Sequence, residues 1–205
     1  MNLKKALPTH PIRLLNQSTI RFFLLLALLA LIALLILEKD ENFSSFSKEH
    51  LKDGLFGLLF DLVVFGFLVS FYDAFKEIGR LQEEIDDFRY WKEPAATYRI
   101  AGAIKRLNDL GVTKIKLNRC FLQKAPLWDT DLQGANLYRT DLEGAILEGA
   151  NLKGVKFDQT ILSGARLKGA KVEDNWPKEW EECKIKGFDE IISKYRVDQG
   201  VLIEK

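Results

Sequence analysis

Apolar residues are concentrated in two long runs near the start of the chain. Residues 22–37 read FFLLLALLALIALLIL, and residues 54–72 read GLFGLLFDLVVFGFLVSFY. As a helix the first run extends about 24 Å at about 1.5 Å per residue, slightly less than the ~30 Å hydrocarbon core of a bilayer. The second run has the full length of a span. The pattern predicts a transmembrane helical hairpin with a short polar linker, residues 38–53.

A cleaved signal peptide is the alternative interpretation of the first run. Its apolar part starts about twenty residues into the chain, is long, and ends in LEKDEN without a small-x-small cleavage site, so an uncleaved helix is favoured. Lys4, Lys5, Arg13 and Arg21 precede the first run. This slight basic bias predicts a cytoplasmic segment 1–21. It also predicts a multi-pass protein of the inner (plasma) membrane with both termini in the cytoplasm.

Asp61 is the one ionisable residue deep in the second run. A charge at that depth costs several kcal/mol, so Asp61 is expected to face protein or water, not lipid. Helical spacing places Gly57 and Phe65 on the same side, and Gly66 with Ser70 forms a second pair of small residues on a nearby face. Two interpretations remain open: a hydrogen-bonding Asp that holds helices together, or a carboxylate that lines an ion path in an oligomer.

Two amphipathic helices are predicted after the second run. Residues 73–93 form a charged stalk helix with an apolar stripe that ends before Pro94, suited either to a coiled coil or to packing against the next helix. Residues 94–111 form a shorter helix, with Tyr98 or Ala101 facing inward and Gly111 as its C-terminal cap.

The pattern then changes to a strict period of five residues. A large apolar residue recurs at Leu117, Leu122, Leu127, Leu132, Leu137, Leu142, Leu147, Leu152, Phe157, Leu162, Leu167 and Val172. A small or compact residue, such as Cys120, Ala135 or Thr140, lies two positions before each. Neither a helix nor a strand has this period, and fixed self-similarity predicts a solenoid over residues 112–173.

The repeats TDLQGANLYRTDLEGAILEGANLKGVKF resemble those of pentapeptide-repeat proteins, whose motif is A(D/N)LXX. The resemblance implies a right-handed quadrilateral β-helix with four pentads per coil, here about three coils, and a mixed fold overall. It also implies that the central apolar residue and the small residue two before it point inward, so Cys120 is expected in the core and not as a nucleophile. Both open ends of so short a solenoid need caps. Residues 94–111 and the tail, residues 174–205, are the candidates.

Outward positions of the repeats carry apolar residues on adjoining faces. Phe121, Trp128, Ile146 and Ile161 are the candidate interaction surface, since a contiguous exposed apolar patch often marks a partner site. The alternative is that the tail or the stalk of the same chain covers them.

Composition excludes several classes of function. Lys+Arg and Asp+Glu number 30 and 29, which argues against a basic nucleic-acid binder. The segment 112–175 has ten basic and eight acidic residues, too balanced for the acidic DNA mimicry of some soluble pentapeptide-repeat proteins. No phosphate loop, nucleophile elbow or metal-ligand cluster is recognisable, so no catalytic, cofactor or metal residues are predicted.

The sequence predicts a membrane-anchored, non-enzymatic protein. Its repeat head would present a surface to a protein partner in the cytoplasm, and its membrane helices would self-associate through Gly57, Asp61 and Phe65. The alternative function is an oligomeric ion channel lined by Asp61, with the β-helix as its assembly or gating module.

Overall fold

The structure is a computed structural model that describes residues 22–29, 31–32, 35 and 45–205. Among these, one compact unit ends at Glu77 and a second begins at Ile78. The described helices are α1 (Ser45–Phe88), α2 (Pro94–Asp109), α3 (Trp176–Glu182) and α4 (Phe188–Lys194), and the strands are β1 (Tyr195–Asp198) and β2 (Val201–Glu204).

Helix α1 combines the predicted second span and stalk and begins earlier than expected. It starts at Ser45, inside the predicted linker 38–53, because the segment SKEHLKD is rich in good helix formers. Among the described helices, its stretch Phe56–Phe88 is long and apolar enough to cross a membrane, judged by length and composition. The predicted segment 1–21 and residues 38–44 lie outside the described residues.

The first apolar run is described in part. Residues 22–29, 31–32 and 35 are helical, and the other residues of the predicted span 22–37 lie outside the description. The Phe23 ring lies 6.4 Å from the Phe65 ring of α1, in an edge-to-face arrangement. The transmembrane hairpin as a whole stays a prediction.

The apolar stripe of the predicted stalk packs within the chain. Leu81 and Ile85 have no exposed surface, and Ile78 is almost fully buried. Since this stripe is already covered in a single chain, it is not free to form the seam of an intermolecular coiled coil. Helix α1 ends at Phe88, five residues before the predicted end of the stalk.

Helix α2 starts at Pro94, whose fixed φ and missing N–H suit a first helical position. At its other end the Gly111 N–H donates to the Asn108 carbonyl and the Val112 N–H to the Leu107 carbonyl, both at 2.8 Å. Gly111 has a φ of 77°, so the helix ends in a Schellman motif.

The period-five residues form the core of the second unit. All the large members of the series from Leu117 to Val172 are buried. The small residues two positions before them are buried as well, except Val155. The buried Thr140 and Thr160 hydroxyls donate to the Leu117 and Leu137 carbonyls, at 2.6 and 2.8 Å, so these polar side chains are satisfied inside the core.

The coils stack with a spacing of twenty residues. Every parallel bridge between Lys116↔Asn136 and Asn151↔Lys171 joins residues twenty apart, one series on each of four sides. The corners lie two residues after each central apolar residue, where φ is positive for glycine and non-glycine residues alike. Hydrogen bonds such as Cys120 N–H to Leu117 carbonyl close these corners, as expected for type II turns. The segment is thus a four-sided solenoid of three coils.

Side chains close the first coil from below. The Gln82 amide exchanges two hydrogen bonds with the backbone of Lys116, at 3.1 and 3.3 Å. The Asn108 amide does the same with Asp131, both at 2.8 Å. On the second side the Thr97 hydroxyl donates to the Phe121 carbonyl, and on the third side Pro126 has no N–H to satisfy. Two sides of the strand edge are therefore paired by side-chain amides, and on the other two sides one backbone group each is satisfied or missing.

The tail closes the last coil from above. Lys186 forms a parallel bridge with Ile161, and Lys171 forms an antiparallel bridge with Val201 of the β1–β2 hairpin. Trp180 of α3 packs on Phe157, with ring centroids 4.5 Å apart, and Trp176 packs on Trp180. Both tryptophans are buried, so α3 covers the end of the apolar core.

Candidate functional site

The outward residues of the second and third sides of the solenoid carry the predicted interaction surface. Phe121 and Ile161 share the second side, since both pair with Asp141, and Ile146 pairs with Pro126 on the third. Phe121, Ile146 and Ile161 are half-buried, whereas Trp128 is exposed at the corner after Leu127. The structure therefore brings the four residues to adjoining sides, with Trp128 as the most accessible.

Lysines from the same chain lie over two of these rings. The Lys105 ammonium is 3.7 Å from the centre of the Trp128 ring, and the Lys92 ammonium is 4.9 Å from that of Phe121. Both distances are within the range of cation–π attraction. A shallow cleft of about 80 Å³ adjoins Phe121 and is lined by Lys92, Thr97, Phe121, Gln123 and Asp141. The surface is thus partly covered by residues before and within α2, and it is positively charged.

Three further aromatic residues are exposed that the predicted interaction surface did not include, and one of them, Tyr98, had been predicted only as a possible inward residue. Tyr90 and Trp91 follow α1, and Tyr98 lies on the outer face of α2. Ala101 is the residue that faces inward, which resolves the ambiguity between it and Tyr98. The run RYWKEP was the available signal, because aromatic residues are enriched in protein interfaces.

The three residues predicted to mediate helix association or to line a pore lie together on one exposed side of α1. Gly57, Asp61 and Phe65 are exposed, and a Cβ at Gly57 would meet no atom within 4 Å. Asp61 opens onto an apolar groove lined also by Leu58, Leu62, Val64, Phe65 and Leu68. Among the residues that the structure describes, none donates a hydrogen bond to the Asp61 carboxylate.

The second pair of small residues has a different environment. Gly66 and Ser70 are buried. A Cβ at Gly66 would lie 2.5 Å from the Phe23 ring, so glycine allows the first apolar segment to approach this face. One small-residue face is thus used within the chain, whereas no described residue packs against the face at Gly57.

The described side chains do not assemble a recognisable reaction centre. Within residues 22–29, 31–32, 35 and 45–205, no group of three or more His, Cys, Asp or Glu side chains could hold a metal ion. Burial raises the pKa of the Cys120 thiol to about 12, with a smaller opposing effect from Arg89. At neutral pH this thiol is protonated and inside the core, which makes it a poor nucleophile.

Comparison with known proteins identifies the repeats. The family model of pentapeptide repeats matches residues 113–149 and 135–174, with eight copies. The crystal structure of a pentapeptide repeat protein from the cyanobacterium Cyanothece 51142 is 38% identical to this chain, over 31% of this chain and 44% of that one, with a TM-score of 0.30. The match thus spans less than half of that protein's length. A comparison with curated protein sequences found no match. Residues 113–174 are pentapeptide repeats, and their twenty-residue coils form the four-sided β-helix of such repeats.

Proposed function

We propose that this chain is a membrane-anchored, non-enzymatic protein whose pentapeptide-repeat head presents a binding surface to a protein partner in the cytoplasm. The main support for the proposal is that large apolar side chains are exposed along α1 and mostly buried in the repeat head. In α1, Phe60, Phe65 and Leu68 are 69%, 60% and 62% exposed. So much contiguous apolar surface is costly in water and is stable against lipid or another helix. The head, by contrast, has both ends closed and a polar exterior broken by a few aromatic residues.

Self-association through the membrane helices is the second part of the proposal. Lipid offers the Asp61 carboxyl no hydrogen-bond partner, whereas a neighbouring helix does. The open space beside Gly57 permits a close helix crossing there. In this proposal Gly57, Asp61 and Phe65 face a second copy. The mass of the detergent-solubilised chain tests this point: the wild type is expected to be oligomeric, and Gly57→Leu with Asp61→Leu is expected to be monomeric.

The binding surface is tested by charge introduction in the full chain. Trp128→Glu combined with Ile146→Glu is expected to abolish capture of the proteins that the wild type binds in its native membrane. Lys168→Glu combined with Lys178→Glu, at exposed positions of the same head, is the matched control and is expected to retain them. Retention of the same partners by the Trp128/Ile146 variant would refute the assignment of the surface.

An ion channel lined by Asp61 is the alternative function. It is supported by the exposed carboxylate in an otherwise apolar groove of α1. A pore usually has more polar residues along its wet face than this single acid, which favours the scaffold function. Currents across a planar bilayer that are present for the wild type and absent for Asp61→Leu would support the channel, whereas a monomeric wild type in detergent would exclude it.

A further inference from the structure

Exposed aromatic side chains in the head are confined to its N-terminal end. From Ile78 onward, the described large apolar residues that are exposed are Tyr90, Trp91, Tyr98 and Trp128, at 62%, 53%, 64% and 46%. They lie in the turn before α2, on α2 itself and in the first coil. Tryptophan and tyrosine are the residues that most often dominate the binding energy of protein interfaces.

The outer face of α2 connects these residues into one strip. One face of α2 carries Tyr98, Gly102 and Lys105 at helical spacing. A Cβ at Gly102 would meet no atom within 4 Å, so the surface between Tyr98 and Lys105 is free of other side chains. Lys105 lies over Trp128, and the Arg99 guanidinium lies 5.1 Å from the centre of the Phe88 ring. The Phe88 ring is in turn 5.5 Å from that of Trp91. We call Trp91, Lys92, Tyr98, Arg99, Lys105 and Trp128 the α2 strip; all are exposed except Lys105, which is half-buried.

The cations of this region have no acidic partner of their own. Among the described residues, no carboxylate lies within 4.0 Å of Lys92, Arg99 or Lys105, and each lies over an aromatic ring. Arg106, the next residue along α2, differs: it pairs with Glu84 at 3.0 Å. Of the five Lys or Arg in residues 89–106, Arg89 pairs with Asp86 and Arg106 with Glu84, which leaves Lys92, Arg99 and Lys105 against one acidic residue of the same stretch, Glu93. The strip thus combines apolar rings with positive charges that are available for pairing.

We propose that the α2 strip binds an acidic segment of another protein, in which Asp or Glu alternates with aromatic or aliphatic residues. The carboxylates would pair with Lys92, Arg99 and Lys105, and the apolar side chains would pack on Tyr98, Trp91 and Trp128 above Gly102. This inference rests on the proposed function and specifies the partner. An anionic membrane surface fits less well, because the exposed Glu93 lies beside Lys92 at the start of α2. A peptide with spaced carboxylates can avoid this acid, whereas a continuous layer of lipid phosphates cannot.

Photo-crosslinking of the full chain in its native membrane tests the proposal. A photoreactive benzoylphenylalanine replaces Tyr98 in one variant and Lys178 of α3 in a control, and adducts are identified by mass spectrometry. We expect the Tyr98 site to form adducts with an acidic segment of another protein, at least tenfold above the control site. The adduct yield is expected to fall with rising salt, because screening weakens exposed ion pairs.

Charge-reversal variants provide a second test in the same crosslinking experiment. Lys92→Glu, Arg99→Glu and Lys105→Glu together are expected to lower the adduct yield at least tenfold, whereas Lys92→Arg with Lys105→Arg is expected to retain it. Lipid adducts, adducts with a second copy, neutral or basic partner segments, or no adduct above the control would each overturn the proposal. If adducts form when the photoreactive residue replaces Ile146 but not Tyr98, the proposed function survives and this inference fails. If neither site captures protein, both fail.

Discussion

At the scale of single residues, two side-chain amides take the place of a neighbouring strand at the lower end of the solenoid. Asn108 donates to the Val112 and Asp131 carbonyls and accepts from the Asp131 N–H, at 2.8–3.0 Å. Gln82 pairs with Lys116 in the same two-sided way. These bonds satisfy backbone groups that would otherwise present an open edge, which is the usual starting point of aggregation.

Removal of the Asn108 amide is predicted to destabilise the head. Asn108→Ala loses three hydrogen bonds and is expected to lower the free energy of unfolding by about 2–3 kcal/mol. Asn108→Asp keeps the acceptor but loses both donated bonds, so a comparable loss is expected. Chemical unfolding followed by tryptophan fluorescence measures both. The exposed Gln133→Ala serves as the control, with a change within about 0.5 kcal/mol. An equally small change for Asn108→Ala would contradict this role.

The buried Cys120 thiol is predicted to make stability depend on alkaline pH. Its pKa is raised by burial from 9.0 to about 12 in the folded state, so the unfolded chain loses this proton first as the pH rises. The contribution to stability is therefore intact below pH 9 and declines between pH 9 and 12. At pH 10 the loss is about 1.4 kcal/mol.

Cys120→Ala lacks this titration and provides the comparison. Between pH 7 and 10, the wild type should lose about 1.4 kcal/mol more unfolding free energy than Cys120→Ala, since the other titrating groups are common to both. Equal losses in the two proteins would show that the thiol is not held in the core as described.

At the scale of elements, the fit between the tail and the last coil depends on Gly187. This residue precedes α4 with a φ of 91°, and a Cβ there would lie 2.7 Å from the backbone N and Cα of Ser163. The Gly164 N–H also donates a hydrogen bond to the carboxylate of Glu190 in α4, at 3.0 Å. The tail can therefore pack against the last coil in this way only if residue 187 has no side chain.

Alanine at Gly187 is predicted to release the tail. Gly154, a corner residue with a φ of 63° and 4.0 Å of clearance for a Cβ, is the matched control. Gly154→Ala should cost about 1–2 kcal/mol from backbone strain alone. Gly187→Ala should cost more and should raise amide hydrogen exchange in residues 185–205. Equal costs with unchanged exchange would contradict this account of the cap.

The repeat core could be predicted from the sequence because each position of the pentad has one structural requirement. The inward place of Leu142 and the buried slot of Cys120 follow from the period of five residues together with the resemblance to pentapeptide repeats. The caps could not be predicted in detail, because Gln82 and Asn108 bind backbone groups 34 and 23 residues away. The contact of Lys105 with the Trp128 ring could not be predicted for the same reason. The helical spacing of α2 also allowed either Tyr98 or Ala101 to face inward.

At the scale of the whole molecule, the two cysteines provide a test of topology. Cys183 is partly exposed and Cys120 is buried, so the folded chain has one accessible thiol. If the head is cytoplasmic, a membrane-impermeant maleimide should label Cys183 only after the cells are permeabilised, and Cys183→Ser should abolish the signal. Labelling of intact cells would place the head outside and contradict the predicted orientation.

Alkaline carbonate extraction tests whether the chain is anchored in a membrane. Carbonate strips peripheral proteins from membranes, whereas a chain whose α1 crosses the bilayer keeps its apolar surface in lipid. We predict that the full chain stays in the membrane pellet and dissolves only in detergent. Recovery of the chain in the carbonate supernatant, soluble without detergent, would contradict the account.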